Sequence, residues 1–185
     1  LLKQSYDIAK NDNVYPIIIT NKNNKKEVKE VNCDVDYPII IIKAKTGLGK
    51  STLYEDEREA VITFATHRLK DDKKEDMHRN CITTSPLPLF TQKELNIYLD
   101  AFNKCNSYTM THSIIQKIAN NEKPIANAII EEDDIDNAKN FLRNNKQIVN
   151  YQYNILTTTS RFLLDKKSFN NKKLFIIDED PTDYI

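Results

Sequence analysis

Residues 36–52 read DYPIIIIKAKTGLGKST, and this stretch decides how the rest of the chain is read. Four consecutive isoleucines, Ile39–Ile42, follow Tyr37-Pro38, and the chain's two glycines, Gly47 and Gly49, stand just after them. An aliphatic run bounded by turn signals fits a strand buried on both faces, as in parallel sheets. A glycine-containing turn lets backbone N–H groups converge on an anion, and a following helix start adds partial positive charge. Residues Ala44, Lys45, Thr46, Gly47, Leu48, Gly49, Lys50, Ser51 and Thr52 therefore read as a phosphate-binding loop. Lys50 would reach the terminal phosphates, and the Ser51 hydroxyl would ligate magnesium. Ala44 occupies the position where the usual pattern has glycine. The plain alternative is a turn that binds nothing.

A phosphate site needs a second half, and Leu174–Pro181 (LFIIDEDP) offers one. Its apolar run ends in Asp178-Glu179, placing two carboxylates at the carboxyl tip of an expected buried strand, where open α/β sheets bind ligands. Asp178 would hold magnesium, and Glu179 would act as general base toward water. An acidic exit from a strand is also common without function. The two elements together, in this order, point to a nucleoside-triphosphatase core that uses Mg2+.

Composition bounds the rest. The chain has 185 residues, 39% of them hydrophobic and 29% charged, which describes an ordinary globular domain. Its 27 basic and 27 acidic residues cancel, so no global field draws nucleic acid to it. No apolar run approaches the roughly 20 residues of a membrane span, and no secretory pattern opens the chain. Three scattered cysteines do not make a disulfide framework, so a cytoplasmic setting is expected.

Along the chain, Val14–Thr20 and Lys29–Cys33 read as a β hairpin, giving a β appendage over residues 1–35. An α/β domain is expected over 36–185. Ser51–Glu59 is helix-compatible, and Ala60–Ala65 reads as a buried strand. Asp71–Met77 is a charge run, and Cys81–Ser85 a possible strand. Thr91 and Glu94 have the spacing of a capping box, opening a helix with Leu95, Tyr98, Ala101 and Phe102 on one face. Further helices are expected at Ser113–Asn120 and Ile135–Asn144, completing a helical insertion over about 72–150. Strands return at Tyr153–Thr158 and Lys173–Ile177. His78, Cys81, Cys105 and His112 carry the donor types of a zinc site, although buried cysteines in a helical block explain them more simply.

Four of these stretches resemble the first RecA-like motor domain of superfamily 1 and 2 helicases. AKTGLGKS (Ala44–Ser51) is similar to helicase motif I, and VITFATHRLKDD (Val61–Asp72) to motif Ia. NILTTTSRFLLD (Asn154–Asp165) is similar to the strand and turn before the acidic box, and IIDEDP (Ile176–Pro181) stands at the box itself. The resemblance implies a RecA-like fold with a mostly parallel sheet and a helicase-type ATPase. It also implies single-stranded DNA or RNA as partner. Thr66, His67, Arg68, Thr158, Thr159, Ser160 and Arg161 would then lie on the nucleic-acid face. A second RecA-like domain or partner subunit would supply an arginine finger, so the chain is expected to be a fragment or a domain that needs a partner. Two other readings stay open: a P-loop switch or assembly ATPase acting on protein in replication or partition, and a P-loop kinase.

Overall fold

Ala60–Phe64 (AVITF) is rich in β-branched and aromatic side chains, and all five residues are buried. A strand covered on both faces belongs in the middle of a parallel sheet, and that is where the computed structural model has it. The structure describes residues 2–10, 14–20, 23, 25–32, 51–77, 79–105, 107–172 and 174–178. It divides into two compact units, Leu1–Asp56 and Glu57–Ile185, each described here by itself.

In the first unit, helix α1 (Leu2–Ala9) packs on a hairpin of β1 (Val14–Thr20) and β2 (Lys26–Asn32). The strands pair antiparallel from Val14 opposite Asn32 to Thr20 opposite Lys26. Pro16 sits in β1, as a two-stranded sheet permits, because each strand has a free edge. Tyr6, Ile8 and Val28 are buried. The expected boundary near residue 35, the aliphatic run 39–42 and the loop 44–50 lie outside the described residues. Ser51–Leu53 forms a short 3₁₀ turn in place of the longer helix expected there. Just before the strand Ala60–Phe64, Glu59 adopts φ 61°, in the left-handed region.

The second unit is α/β, with a four-stranded parallel sheet. Its strands are β3 (Ala60–Phe64), β4 (Cys81–Thr83), β5 (Asn154–Thr158) and β6 (Leu174–Ile177), in the order β4-β5-β3-β6. Val61 stands opposite Ile155 on one side and Phe175 on the other. Parallel neighbours require crossovers. These are α2 (His67–Asp76), then α3 (Lys93–Lys104), α4 (Tyr108–Ala119) and α5 (Glu132–Val149), then α6 (Thr159–Leu164). The charge run after Asp71 is thus the body of α2, whose solvent-facing residues hold most of the charge.

Two apolar clusters stabilise this unit. One, within the helical block, gathers Phe90, Leu95, Leu99, Ile114, Ile115, Ile118 and Phe141. The other, on the sheet, joins Val61, Ile155 and Phe169 with Ile148. Helix α5 enters both, through Phe141 and Ile148. Helix α5 starts three residues before the expected Ile135, where Glu131 and Asp134 form a capping box with Glu132 and Asp133 in the first turn.

Three expectations are corrected. Thr91 does not cap α3; its N–H donates to Asp134 Oδ1 at 2.7 Å, so the start of α5 takes the group that a local cap would have used. Ala101 is exposed, and Leu99 takes its place beside Leu95 because it lies one turn on along the buried face. β6 is not buried on both faces: Phe175 and Ile177 are exposed, while Leu174 and Ile176 are half-buried, the alternation of a strand at a sheet's margin.

A single buried side chain joins the start of β3 to β5. Asn154 Oδ1 accepts from the Ala60 N–H at 3.0 Å, and its Nδ2 donates to the Glu57 carbonyl at 2.6 Å. Asn154→Ala leaves both backbone groups without this partner, and urea unfolding should report a loss of about 1–3 kcal/mol.

Candidate functional site

The carboxyl ends of β3, β4 and β5 converge on a hydroxyl-rich margin. Thr84 follows β4, Thr157 and Thr158 end β5, and Thr63 lies next to the end of β3. Thr84 Oγ1 donates to Thr157 Oγ1 at 3.0 Å, and Thr159 Oγ1 donates to Thr63 Oγ1 at 3.2 Å. These hydroxyls are buried and satisfy one another, tying the turn after each strand to its neighbour.

Two of those turns open helices in the same way. Thr66 caps α2, its Oγ1 accepting from the Leu69 N–H at 3.2 Å. Thr158 caps α6, accepting from the Arg161 N–H at 3.3 Å. A hydroxyl that accepts from the backbone keeps its own proton to donate. Thr66 is exposed; Thr158 is buried, with Ser160 Oγ 3.3 Å away.

His67 is held by a buried cation. Lys70 is 1% exposed, and its ammonium contacts the Thr84 carbonyl, His67 Nδ1 at 3.1 Å and Asp71 Oδ1 at 3.3 Å. An ammonium has no acceptor, so Nδ1 must accept from it, leaving the imidazole neutral with its proton on Nε2. Burial, and next the Lys70 charge, hold the His67 pKa below its ordinary value. Burial likewise lowers Lys70 itself, against the opposing pull of Asp71.

The seven residues assigned to a nucleic-acid face therefore separate into two sets. Thr66, Arg68 and Ser160 are exposed, and His67 is half-buried. Arg68 reaches into solvent with a long 3.9 Å contact to Asp72. Thr158, Thr159 and Arg161 turn inward. The Arg161 side chain is 10% exposed, pairs with Asp165 at 3.1 Å, and donates to Asn145 Oδ1 at 3.1 Å. Its guanidinium lies 3.8 Å from the centre of the Tyr108 ring, a cation–π stack that draws α6 onto α4 and α5. Burial pushes the Tyr108 phenol up to about 12, despite the nearby Arg161 charge. Neither Lys70 nor the enclosed Arg161 was signalled as buried by the sequence; each reads there as one more surface charge.

Asp178 follows β6 directly, and its N–H donates to the Thr63 carbonyl at 3.2 Å, carrying the ladder one residue past the strand. Glu179 lies outside the described residues, as does the loop 44–50. Thr52 is exposed in the 3₁₀ turn Ser51–Leu53 of the first unit. Of the possible zinc donors, Cys81 is in β4, Cys105 follows α3 and is exposed, and His112 is in α4; His78 lies outside the described residues. Among the described residues, no three His, Cys, Asp or Glu side chains gather as a metal site would require. No described helix is long and apolar enough to cross a membrane.

No protein-family model matches the chain, and comparisons with curated proteins and with solved structures find no significant similarity.

Two predictions follow from the buried charges. Arg161→Ala strands Asp165 in the interior and should lower the unfolding free energy by about 3–5 kcal/mol in denaturant titrations. His112, like His67, has its pKa held below 6.5, chiefly by burial. The unfolded chain therefore takes up protons first as pH falls through 6.5, so these residues make stability decline on acidification. His67→Asn with His112→Gln should flatten that part of the stability profile.

Proposed function

We propose that the chain is the nucleotide-binding half of an ATP-driven motor with a RecA-like core, acting on single-stranded DNA or RNA. The observation that carries this reading is the pairing, in chain order, of AKTGLGKST after an aliphatic run with Asp178-Glu179 after a parallel strand. Lys50 would bind the terminal phosphates, Ser51 and Asp178 would hold magnesium, and Glu179 would take a proton from the attacking water. Magnesium, when bound, supplies positive charge against the phosphate oxygens. The oxygen donors of Ser51 and Asp178 suit that hard cation. A second RecA-like domain or a partner subunit would complete the site with an arginine.

Thr66, His67, Arg68 and Ser160 would meet the sugar–phosphate backbone. Neutral hydroxyl and imidazole donors with one exposed cation hold a strand without reading its bases. The buried Thr158, Thr159 and Arg161 would hold those donors in place. The inward turn of Arg161 also shortens the polar face, and this favours a second reading, a P-loop switch or assembly ATPase acting on protein.

ATP hydrolysis with and without single-stranded DNA or RNA separates the two. The motor requires turnover that rises with nucleic acid; turnover indifferent to it points to the switch. Lys50→Ala is expected to abolish Mg-ATP binding, and Glu179→Gln to keep binding while slowing turnover by about 10² or more. Parent-like binding by Lys50→Ala would overturn the phosphate-loop assignment.

A further inference from the structure

Helix α5 ends at Val149, and residues 150–153 turn the chain into β5. Between the last turns of α5 and this connection runs an open groove of about 700 Å³. Its lining includes Arg143 and Lys146 from α5, Ile82 from β4, and Tyr151 and Tyr153 from the turn; the remaining three side chains are amides, and none is a carboxylate. Arg143 and Lys146 are three residues apart, so they share a helix face, and both are exposed. Neither makes an ion pair among the described residues.

The turn is held rigidly. Lys172, 6% exposed, donates from its ammonium to the carbonyls of both Tyr151 and Tyr153, each at 2.7 Å. Asn171 Nδ2 donates to the Val149 carbonyl at 3.3 Å, fixing the end of α5 to the same segment. The tyrosine rings meet edge to face with centroids 5.8 Å apart, and Tyr153 remains 48% exposed. Burying a cation is costly, and here it fixes the backbone beneath two aromatic rings rather than pairing with an acid. If the turn served only to link α5 to β5, it would need neither an exposed ring nor two unpaired cations facing it.

We infer that this groove binds a segment of single-stranded nucleic acid, a base stacking on Tyr153 and the adjoining phosphates meeting Arg143 and Lys146. Aromatic stacking beside a cationic track is the chemistry by which single strands are held regardless of sequence. It acts locally, so a net charge of zero does not oppose it. The groove lies beside the amino end of β5, away from the hydroxyl-rich carboxyl margin, and uses no residue of the phosphate loop. It therefore stands or falls independently of ATP hydrolysis. A free nucleotide offers the same base and phosphate, and the test distinguishes the two.

Fluorescence anisotropy of a labelled oligothymidylate, titrated with the 185-residue chain, provides that test. Tyr153→Ala should weaken binding about fivefold or more, and Tyr153→Phe should bind as the parent does. Arg143→Gln with Lys146→Gln should lower the slope of log affinity against log salt by about 1.4, for two phosphate contacts. These side chains are exposed, so far-UV circular dichroism and melting should be unchanged. Parent-like binding by Tyr153→Ala and by the double glutamine variant would overturn the proposal, as would an absence of binding by the parent. Equal affinity for thymidine monophosphate would replace the strand with a free nucleotide. Displacement of the oligonucleotide by polyglutamate at equal charge concentration would reduce the groove to a general anion site.

Discussion

The parallel pairing of β3 with a neighbour on each side is the constraint on which the second unit depends. A strand in that position cannot turn back on itself, so every connection must leave the sheet, cross a face and re-enter from the amino end. One consequence is that the helices cover the sheet and give Val61, Ile62 and Ile155 a dry environment. Another is that the turns after β3, β4 and β5 all emerge at the same margin. The threonines gathered there follow from that geometry. The buried hydroxyls of Thr63, Thr84, Thr157 and Thr159 pair with one another there without adding charge.

Buried cations carry much of the remaining specificity. Lys70, Arg161 and Lys172 each leave water to hold other groups: a carbonyl and an imidazole, a phenol ring and an amide, and two carbonyls, respectively. Dispersion and the hydrophobic effect can pack α6 or the turn before β5 in several ways, whereas a cation with fixed donors accepts few. Arg161 joins three helices through a planar group that stacks and donates at once, a combination that lysine cannot reproduce.

How much could be read from the sequence depends on whether the deciding forces were local. β1 was legible over its full length, and β3 and β5 nearly so, because β-branched runs bounded by turn residues leave little else for the backbone to do. Helix α5 was legible in its middle but runs beyond the expected Ile135–Asn144 at both ends. Helix α1 was not legible, since LKQSYDIA is only eight residues, about two turns, too short for its apolar spacing to stand out. The start of α3 was misread because Asp134, distant in sequence, claims the Thr91 N–H. At the candidate site, the exposed Thr66, Arg68 and Ser160 could be anticipated from their place after strands. The inward turn of Arg161 could not, because nothing near it in sequence announces Tyr108 and Asn145. Every polar residue that lines the groove beside α5 falls within 143–153, and only the apolar Ile82 comes from a distant part of the chain.

The length of α5 has a consequence for how the second unit comes apart. One rod of 18 residues lends Phe141 to the helical cluster and Ile148 to the cluster on the sheet. Fraying it from either end removes a wall from one core, and the loosened helix then weakens its hold on the other. Helical block and sheet are thereby coupled in a single cooperative melting unit, and amide protons in the middle of α5 should be among the slowest to exchange. A strand or nucleotide that stiffened the last turns of α5 would slow the opening of the helical block as well, transmitting its presence as a change in lifetime rather than in shape.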